Sequence, residues 1–158
     1  MSSIEIYNYL KKSLGIIIKH LEEAGVVSLY PYTSRFSELR SQTIGSGEWF
    51  TALQCKGMGR VDEFLIRSPS VDIEVQVVVD GESILERSYG ELREIQQVVK
   101  DISAFEELDE NGDPTGFYII SLRNIPFSSS VQIRVKNIGA KPITLPNIFM
   151  KYRLFRGG

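Results

Sequence analysis

The sequence predicts a mostly β protein: an antiparallel β-sandwich, similar to a jelly roll, with an N-terminal amphipathic helix and one short crossover helix. Three observations support this prediction. Beyond residue 44, apolar residues tend to recur at every second position, and turn-forming residues separate these runs at roughly ten-residue intervals. The first 25 residues instead repeat their apolar side chains every three or four positions. We therefore expect a helix at 1–25, an extended connector at 26–44 and a sandwich domain at 45–158.

The predicted N-terminal helix has capping signals at both ends and a broad apolar face. Ser2 and Glu5 have the spacing of a capping box, and Gly25 suits a helix C-terminus. Additional isoleucines widen the apolar face beyond a two-stranded coiled-coil seam, so the helix must bury it against a larger surface. The residues expected in that contact are Leu10, Leu14, Ile17 and Leu21.

The segment 26–44 mixes aromatic, serine and arginine residues with weak periodicity, which is typical of an extended connector. The domain that follows is predicted to contain about eight strands. Val71–Val79 alternates apolar and polar residues, and Asp80-Gly81 is the strongest turn signal because both residues tolerate positive φ. A hairpin is therefore expected here.

A short helix is predicted at Glu91–Lys100, because Leu92, Ile95 and Val98 recur at a spacing of three. Strand patterns flank this segment on both sides. We expect the helix to carry the chain from one sheet to the other.

Catalytic and metal chemistry receive little support from the residue types present. The chain has one cysteine, Cys55, and one histidine, His20, so a His/Cys zinc cage and an internal disulfide are excluded. The acidic segment Asp109–Asp113 begins like an EF-hand loop, but Pro114 replaces the required glycine and Ile120 the bidentate glutamate. We interpret it as a hairpin turn and expect no catalytic residues, no metal and no cofactor.

No apolar run approaches the roughly 20 residues that span a bilayer, and no secretory leader is recognisable. We expect a chain that begins at or near its mature N-terminus and makes no membrane contact. Outside a larger particle, its expected location is the cytoplasm.

Charge is distributed unevenly along the chain. Up to Asp113 there are eleven basic and twenty acidic residues, a net charge of −9, whereas residues 114–158 contain seven basic residues and no acid. Because successive side chains of a strand point to opposite faces, charged residues two positions apart lie on the same face. The charged residues expected to matter are Asp72, Glu74, Arg134, Lys136, Lys151 and Arg153, the four cations forming a basic sheet face.

Three interpretations of these charges stay open. Acidic and basic strands pair within one chain, or they pair between subunits in a heterologous contact, or the basic strands bind nucleic acid. The overall pI near 5.5 and the acidic first two-thirds disfavour nucleic acid.

Aromatic residues near the start of the sandwich offer a different function. Tyr30, Tyr32 and Trp49 could form a stacking platform for a sugar, although aromatic residues also fill sandwich cores and subunit interfaces. The sequence favours core or interface over a carbohydrate platform.

The stretch from Gly45 to Tyr152 resembles small jelly-roll or β-sandwich structural proteins of viruses and tailed phages. The residues that carry this resemblance are Gly57-x-Gly59-x-Val61, Phe64–Ser68, Val77–Gly81, Ile125-Pro126-Phe127 and Val131–Val135. It implies a non-enzymatic capsid, decoration, neck or tail component that assembles with itself and with other structural proteins of a virion. A carbohydrate- or receptor-binding sandwich is the alternative. The long N-terminal helix departs from this pattern.

Overall fold

The computed structural model describes residues 5, 6, 8, 10–12, 14 and 32–155. The chain divides into two compact units, Met1–Tyr32 with Gly158, and Thr33–Gly157. Every described residue between 5 and 14 is α-helical, as predicted. The helix end expected at Gly25 lies outside the described residues. No helix in the described part of the chain is long and apolar enough to span a membrane.

Nine strands and one helix follow in residues 32–155. They are β1 (Tyr32–Ile44), β2 (Trp49–Lys56), β3 (Gly59–Ser68), β4 (Ile73–Val79), β5 (Glu82–Ser88), the crossover helix (Tyr89–Ile95), β6 (Ile102–Leu108), β7 (Pro114–Phe127), β8 (Ser130–Asn137) and β9 (Ile143–Phe155).

The strands form a five-stranded sheet in the order β1-β9-β3-β7-β6 and a four-stranded sheet in the order β2-β8-β4-β5. β1 thus neighbours β9, β2 neighbours β8, β3 neighbours β7 and β4 neighbours β5, as in one long hairpin wrapped around a core. This is the strand order of a jelly roll, with β6 added at one edge. The predicted antiparallel sandwich is confirmed.

The core lies between the two sheets and follows from the period of two. On β8, Val131, Ile133 and Val135 are at most 1% exposed, whereas the residues between them are half-buried on the outer face. β3 and β4 alternate in the same way. The largest fully buried side chains include Phe64, Ile66, Ile73, Leu92, Ile120, Leu122, Ile133, Leu145 and Ile148.

The Asp80-Gly81 hairpin is present between β4 and β5. Asp80 has φ 53° and Gly81 has φ 82°, the two positive values that a type I′ turn requires. The turn prediction is confirmed.

The crossover helix connects β5 of the four-stranded sheet to β6 of the five-stranded sheet, as predicted. It begins earlier and is shorter than Glu91–Lys100, because Ser88 caps it and shares a capping box with Glu91. Leu92 is fully buried, but Val98 is 83% exposed and lies beyond the helix end.

The connector expected at 26–44 is corrected in its second part. Residues 32–44 form β1, an edge strand of the five-stranded sheet. Only Ile44 is fully buried in this strand, so the apolar alternation that marks inner strands is missing.

Asn137 ties together the loops at one end of the sandwich. Its side chain is fully buried, and Nδ2 donates to the carbonyl oxygens of Ile44 at 3.0 Å and Lys141 at 2.7 Å. Oδ1 accepts the N–H of Gly139 at 2.9 Å. The β1–β2 and β8–β9 loops therefore share one buried amide.

We expect Asn137→Ala to lower the free energy of unfolding by about 2–4 kcal/mol, because it leaves two carbonyls and one N–H without their partner. Urea denaturation measures this change. Asn111→Ala, at the exposed tip of the β6–β7 hairpin, is the matched control and should change it by less than about 0.5 kcal/mol. Equal effects of the two substitutions would contradict the role of Asn137.

Asp80 has the corresponding role at the opposite end of β4. Its carboxylate accepts the backbone N–H groups of Ser128, Ser129 and Ser130, at 2.7 Å for Ser129. The N–H donors of Ser129 and Ser130 hold the pKa of Asp80 below its ordinary value. The carboxylate thus joins the β4–β5 turn to the β7–β8 loop.

The lowered pKa of Asp80 predicts an acid-dependent loss of stability. The stabilisation is complete above the unfolded-state pKa of about 3.9 and is lost as the pH falls through the lower folded-state pKa. Asp80→Asn keeps a turn-forming residue but removes the charge, so it should destabilise the protein at pH 7 and do so less at pH 3, below the unfolded-state pKa. Urea unfolding at both pH values tests this, with Asp113→Asn as the control. A pH-independent difference would contradict it.

Candidate functional site

The outer face of the four-stranded sheet brings together most of the predicted site residues. Trp49, Lys136 and Glu74 lie side by side on β2, β8 and β4. The next row contains Thr51, Arg134, Gln76 and Glu86. We call this surface the charged face; its outward residues are Trp49, Thr51, Gln54 and Lys56 on β2, Gln132, Arg134 and Lys136 on β8, Glu74, Gln76 and Val78 on β4, and Ser83, Glu86 and Ser88 on β5.

Two cations cover the Trp49 ring. The Arg134 guanidinium carbon lies 4.5 Å from the ring centroid and the Lys136 ammonium 5.5 Å from it. Arg134 Nε also donates to Gln76 Oε1 at 2.9 Å, which fixes the guanidinium in place. A sugar that stacks on the same side of this ring would have to displace a cation.

Lys151 and Arg153 lie on β9 in the other sheet, so the single basic face expected for all four cations is corrected. Arg153 Nη2 donates to Asp62 Oδ1 at 2.9 Å, and its Nε contacts both carboxylate oxygens. Lys151 is exposed and lies opposite Glu63 in the register. For Arg153, the charge pairing occurs within the chain.

Asp72 and the proposed aromatic platform are also placed differently from the prediction. Asp72 is exposed and precedes β4, where its carbonyl accepts the N–H of Ile138 at 3.0 Å. Tyr32 belongs to β1 of the five-stranded sheet, whereas Trp49 belongs to β2 of the four-stranded sheet. Tyr30 lies outside the described residues. The predicted platform is therefore not a single surface.

The outer face of the five-stranded sheet has an apolar groove that the sequence did not indicate. Phe36 on β1 is 69% exposed, and its ring lies 6.2 Å from that of Phe149 on β9. The groove has a volume of about 260 Å³ and is lined by Phe36, Glu63, Leu65, Phe149, Met150 and Lys151. Phe36 lies in the segment 26–44, whose weak periodicity does not show which strand would lie beside it.

The described part of the N-terminal helix exposes its apolar residues. Ile6, Leu10 and Leu14 are spaced four residues apart and are 45%, 59% and 49% exposed. Two other predicted contact residues, Ile17 and Leu21, lie outside the described residues. A helix with an apolar stripe of this kind requires a surface that covers it.

The buried thiol of the sandwich and one of its ion pairs have structural surroundings. Burial raises the pKa of the Cys55 thiol, which disfavours the reactive thiolate. Arg67 binds Glu107 through two contacts of 2.8 Å and stacks 3.8 Å from the Phe117 ring centroid. Among the described residues, no three His, Cys, Asp or Glu side chains are grouped so that they could hold a metal ion.

The acidic segment at the β6–β7 hairpin forms a turn, as interpreted from the sequence. Asp109 Oδ1 accepts the N–H groups of Asn111 at 2.8 Å and Asp113 at 2.9 Å, and Gly112 has φ 83°. The Asp109 carboxylate therefore already accepts hydrogen bonds from backbone N–H groups of its own turn.

Comparison with known proteins gives few matches. No protein-family model and no curated protein matches the chain. A crystal structure of an Aeromonas sobria serine protease in complex with a chaperone matches at 9% identity and a TM-score of 0.36, covering 85% of this chain and 29% of that one. A structure of the Aeromonas sobria serine protease matches at 10% identity and a TM-score of 0.30, covering 87% of this chain and 29% of that one.

The chain thus spans less than a third of the length of these matched chains. Similarity at this level carries no inference about function. The candidate sites are therefore the three surfaces found above, namely the charged face, the apolar groove and the exposed helix stripe.

Proposed function

We propose that the chain is a non-enzymatic structural subunit that assembles with copies of itself, as a capsid, decoration, neck or tail component of a virion. Its other partners are structural proteins of the same particle. The jelly-roll strand order supports the proposal, because viral capsid domains use this architecture. Lectins and cupins use it as well, so the surfaces must carry the argument.

The observation that carries the proposal is the exposed apolar stripe of the N-terminal helix. Ile6, Leu10 and Leu14 each expose between 45% and 59% of their surface. Full burial of such a side chain is worth about 1.5–3 kcal/mol, so helices of several copies gain substantially by packing together. The stripe therefore favours a homo-oligomer.

The engagement of polar groups within the sandwich supports a structural role over an enzymatic one. Asp62 is bound by Arg153, Glu107 by Arg67, and Asp80 by three backbone N–H groups. A general acid or base must instead reach the substrate proton that it transfers. These carboxylates stabilise strands and loops.

We expect Leu14→Asp to reduce the full chain to a monomer at high salt, because it places a charge in the apolar contact. Light scattering measures the mass, and circular dichroism reports whether the sandwich stays folded. Lys12→Asp changes a helix residue on the opposite face and should leave the wild-type mass unchanged. A Leu14→Asp protein with the wild-type mass, or a wild-type chain that is monomeric at high salt, would contradict the proposal.

A carbohydrate- or receptor-binding module is the second candidate, favoured by the position of Trp49 near Thr51 and Arg134 on one sheet face. An aromatic ring beside hydrogen-bonding side chains is a common sugar-binding arrangement.

If this candidate is correct, the chain should bind members of a broad glycan panel, and Trp49→Ala should weaken that binding at least tenfold. Phe105→Ala, which removes an exposed aromatic residue on β6 of the other sheet, is the matched control and should have no effect. Binding that survives Trp49→Ala would exclude Trp49 as the site, and a panel without binding would argue against the whole class.

A further inference from the structure

The charged face divides by sign along a line parallel to its strands. Its cations, Lys56, Arg134 and Lys136, project from β2 and β8. Its anions, Glu74 and Glu86, project from β4 and β5. One half of the face is therefore basic and the other half acidic.

Two charges on the central strands of this face, in the row at one end, have no ion-pair partner in the described part of the chain. Lys136 and Glu74 are direct neighbours in the β4–β8 register, yet neither forms an ion pair with a described residue. Both side chains are half-buried, and Lys136 lies over the Trp49 ring. They can therefore meet opposite charges that approach from outside the sheet.

We propose that the charged face binds a second copy of this chain, through a two-fold axis that lies in the interface and runs parallel to the strands. This inference rests on the proposed function, since it identifies one of the contacts by which copies assemble. Rotation about this axis stacks β8 on β4 of the partner subunit and β2 on its β5.

The register then pairs opposite charges. Lys136 and Glu74 lie in the same row, so Lys136 faces Glu74 of the partner subunit, and Glu74 faces Lys136 of the partner subunit. In the next row, Arg134 faces Gln76 of the partner subunit, the same residue type that it binds within its own chain. The face is thus complementary to itself.

The charge pattern also excludes the other arrangement of two stacked sheets. An in-plane axis perpendicular to the strands would stack β8 on β8, so that Arg134 and Lys136 faced the cations of the partner subunit. That contact brings like charges together in both halves of the interface. Only the strand-parallel axis places the basic half on the acidic half.

The size of the face indicates how strong this contact is. Four strands about 4.8 Å apart, each contributing about seven residues of 3.3 Å, cover about 450 Å² of each copy. A standard interface buries roughly 800 Å² of accessible surface per partner, so a face of this flat area lies at or below the standard size. The contact is therefore weak by itself and sensitive to salt, and the apolar helix must supply the remaining stability of the assembly.

The test uses the full chain with Leu14→Asp, in which the helix contact is broken. Sedimentation velocity over a concentration series should show a dimer at low salt and a monomer at high salt. Adding Lys136→Glu, or adding Glu74→Lys, should raise the dimer dissociation constant at least tenfold, because each reversal affects two symmetry-related pairs. Lys100→Glu, on an exposed turn outside the charged face, is the matched control and should leave the dimer unchanged.

Mixing distinguishes pairing between copies from pairing within one copy. A 1:1 mixture of the Lys136→Glu and Glu74→Lys proteins should form a heterodimer, because both intermolecular pairs again join opposite charges. Mixing cannot restore an ion pair within one chain, so a variant that failed to fold would stay unfolded in the mixture. Thermal melting of each variant checks its fold separately.

A mixture that stays monomeric while each variant is folded would overturn the proposal. A Leu14→Asp protein that is monomeric at low as well as high salt would also overturn it, although helix-mediated assembly of the wild type would stand. A wild-type chain that is monomeric at high salt would instead contradict the proposed helix contact. Dimerisation of the Leu14→Asp protein at low salt would still test the charged face.

Discussion

Strands β8 and β9 each hold one of the two sheets together, because each is hydrogen-bonded between two strands from the first half of the chain. β8 lies between β2 and β4, and β9 lies between β1 and β3. The basic C-terminal strands are thereby placed beside strands that carry single acidic residues such as Asp62 and Glu74. Arg153 meets Asp62 across 91 residues of sequence, and Lys136 comes to lie beside Glu74. Residues from the acidic and the basic part of the chain thus become neighbours at these two places, which reduces repulsion within each part.

The loops at the two ends of the sandwich are fixed by different kinds of polar group. Asn137 is a neutral amide buried among backbone groups, where an ion would carry a large desolvation cost. Asp80 lies at the surface, where a carboxylate stays hydrated while it accepts several N–H groups. The β4 strand and its neighbour β8 run between these two ends, so the charged face is built on strands whose ends are restrained. Such a rigid surface loses little conformational entropy when it binds a partner.

Sequence periodicity was sufficient to predict the inner strands, but it was not sufficient to predict the edge strand β1. Val131, Ile133 and Val135 must face the core, and the Asp80-Gly81 turn fixes where β4 ends, so these elements are determined locally. Edge strand β1 buries only Ile44 completely, and its pattern therefore resembles that of a connector. Period two gives the face of a strand but not the sheet to which the strand belongs. For this reason Arg134 and Lys151 could be assigned to outward positions but not to opposite sheets.

The two proposed contacts complement each other physically. An isologous contact closes on itself, so the charged face alone can produce only a dimer. A larger assembly needs a second contact that involves a different surface, and the apolar helix stripe is such a surface. Screening weakens the first contact as salt rises, whereas apolar burial is largely independent of ionic strength. A particle built from both would keep its helix-mediated units in high salt and lose the links between them, so the helix contact defines the stable unit and the charged face joins these units.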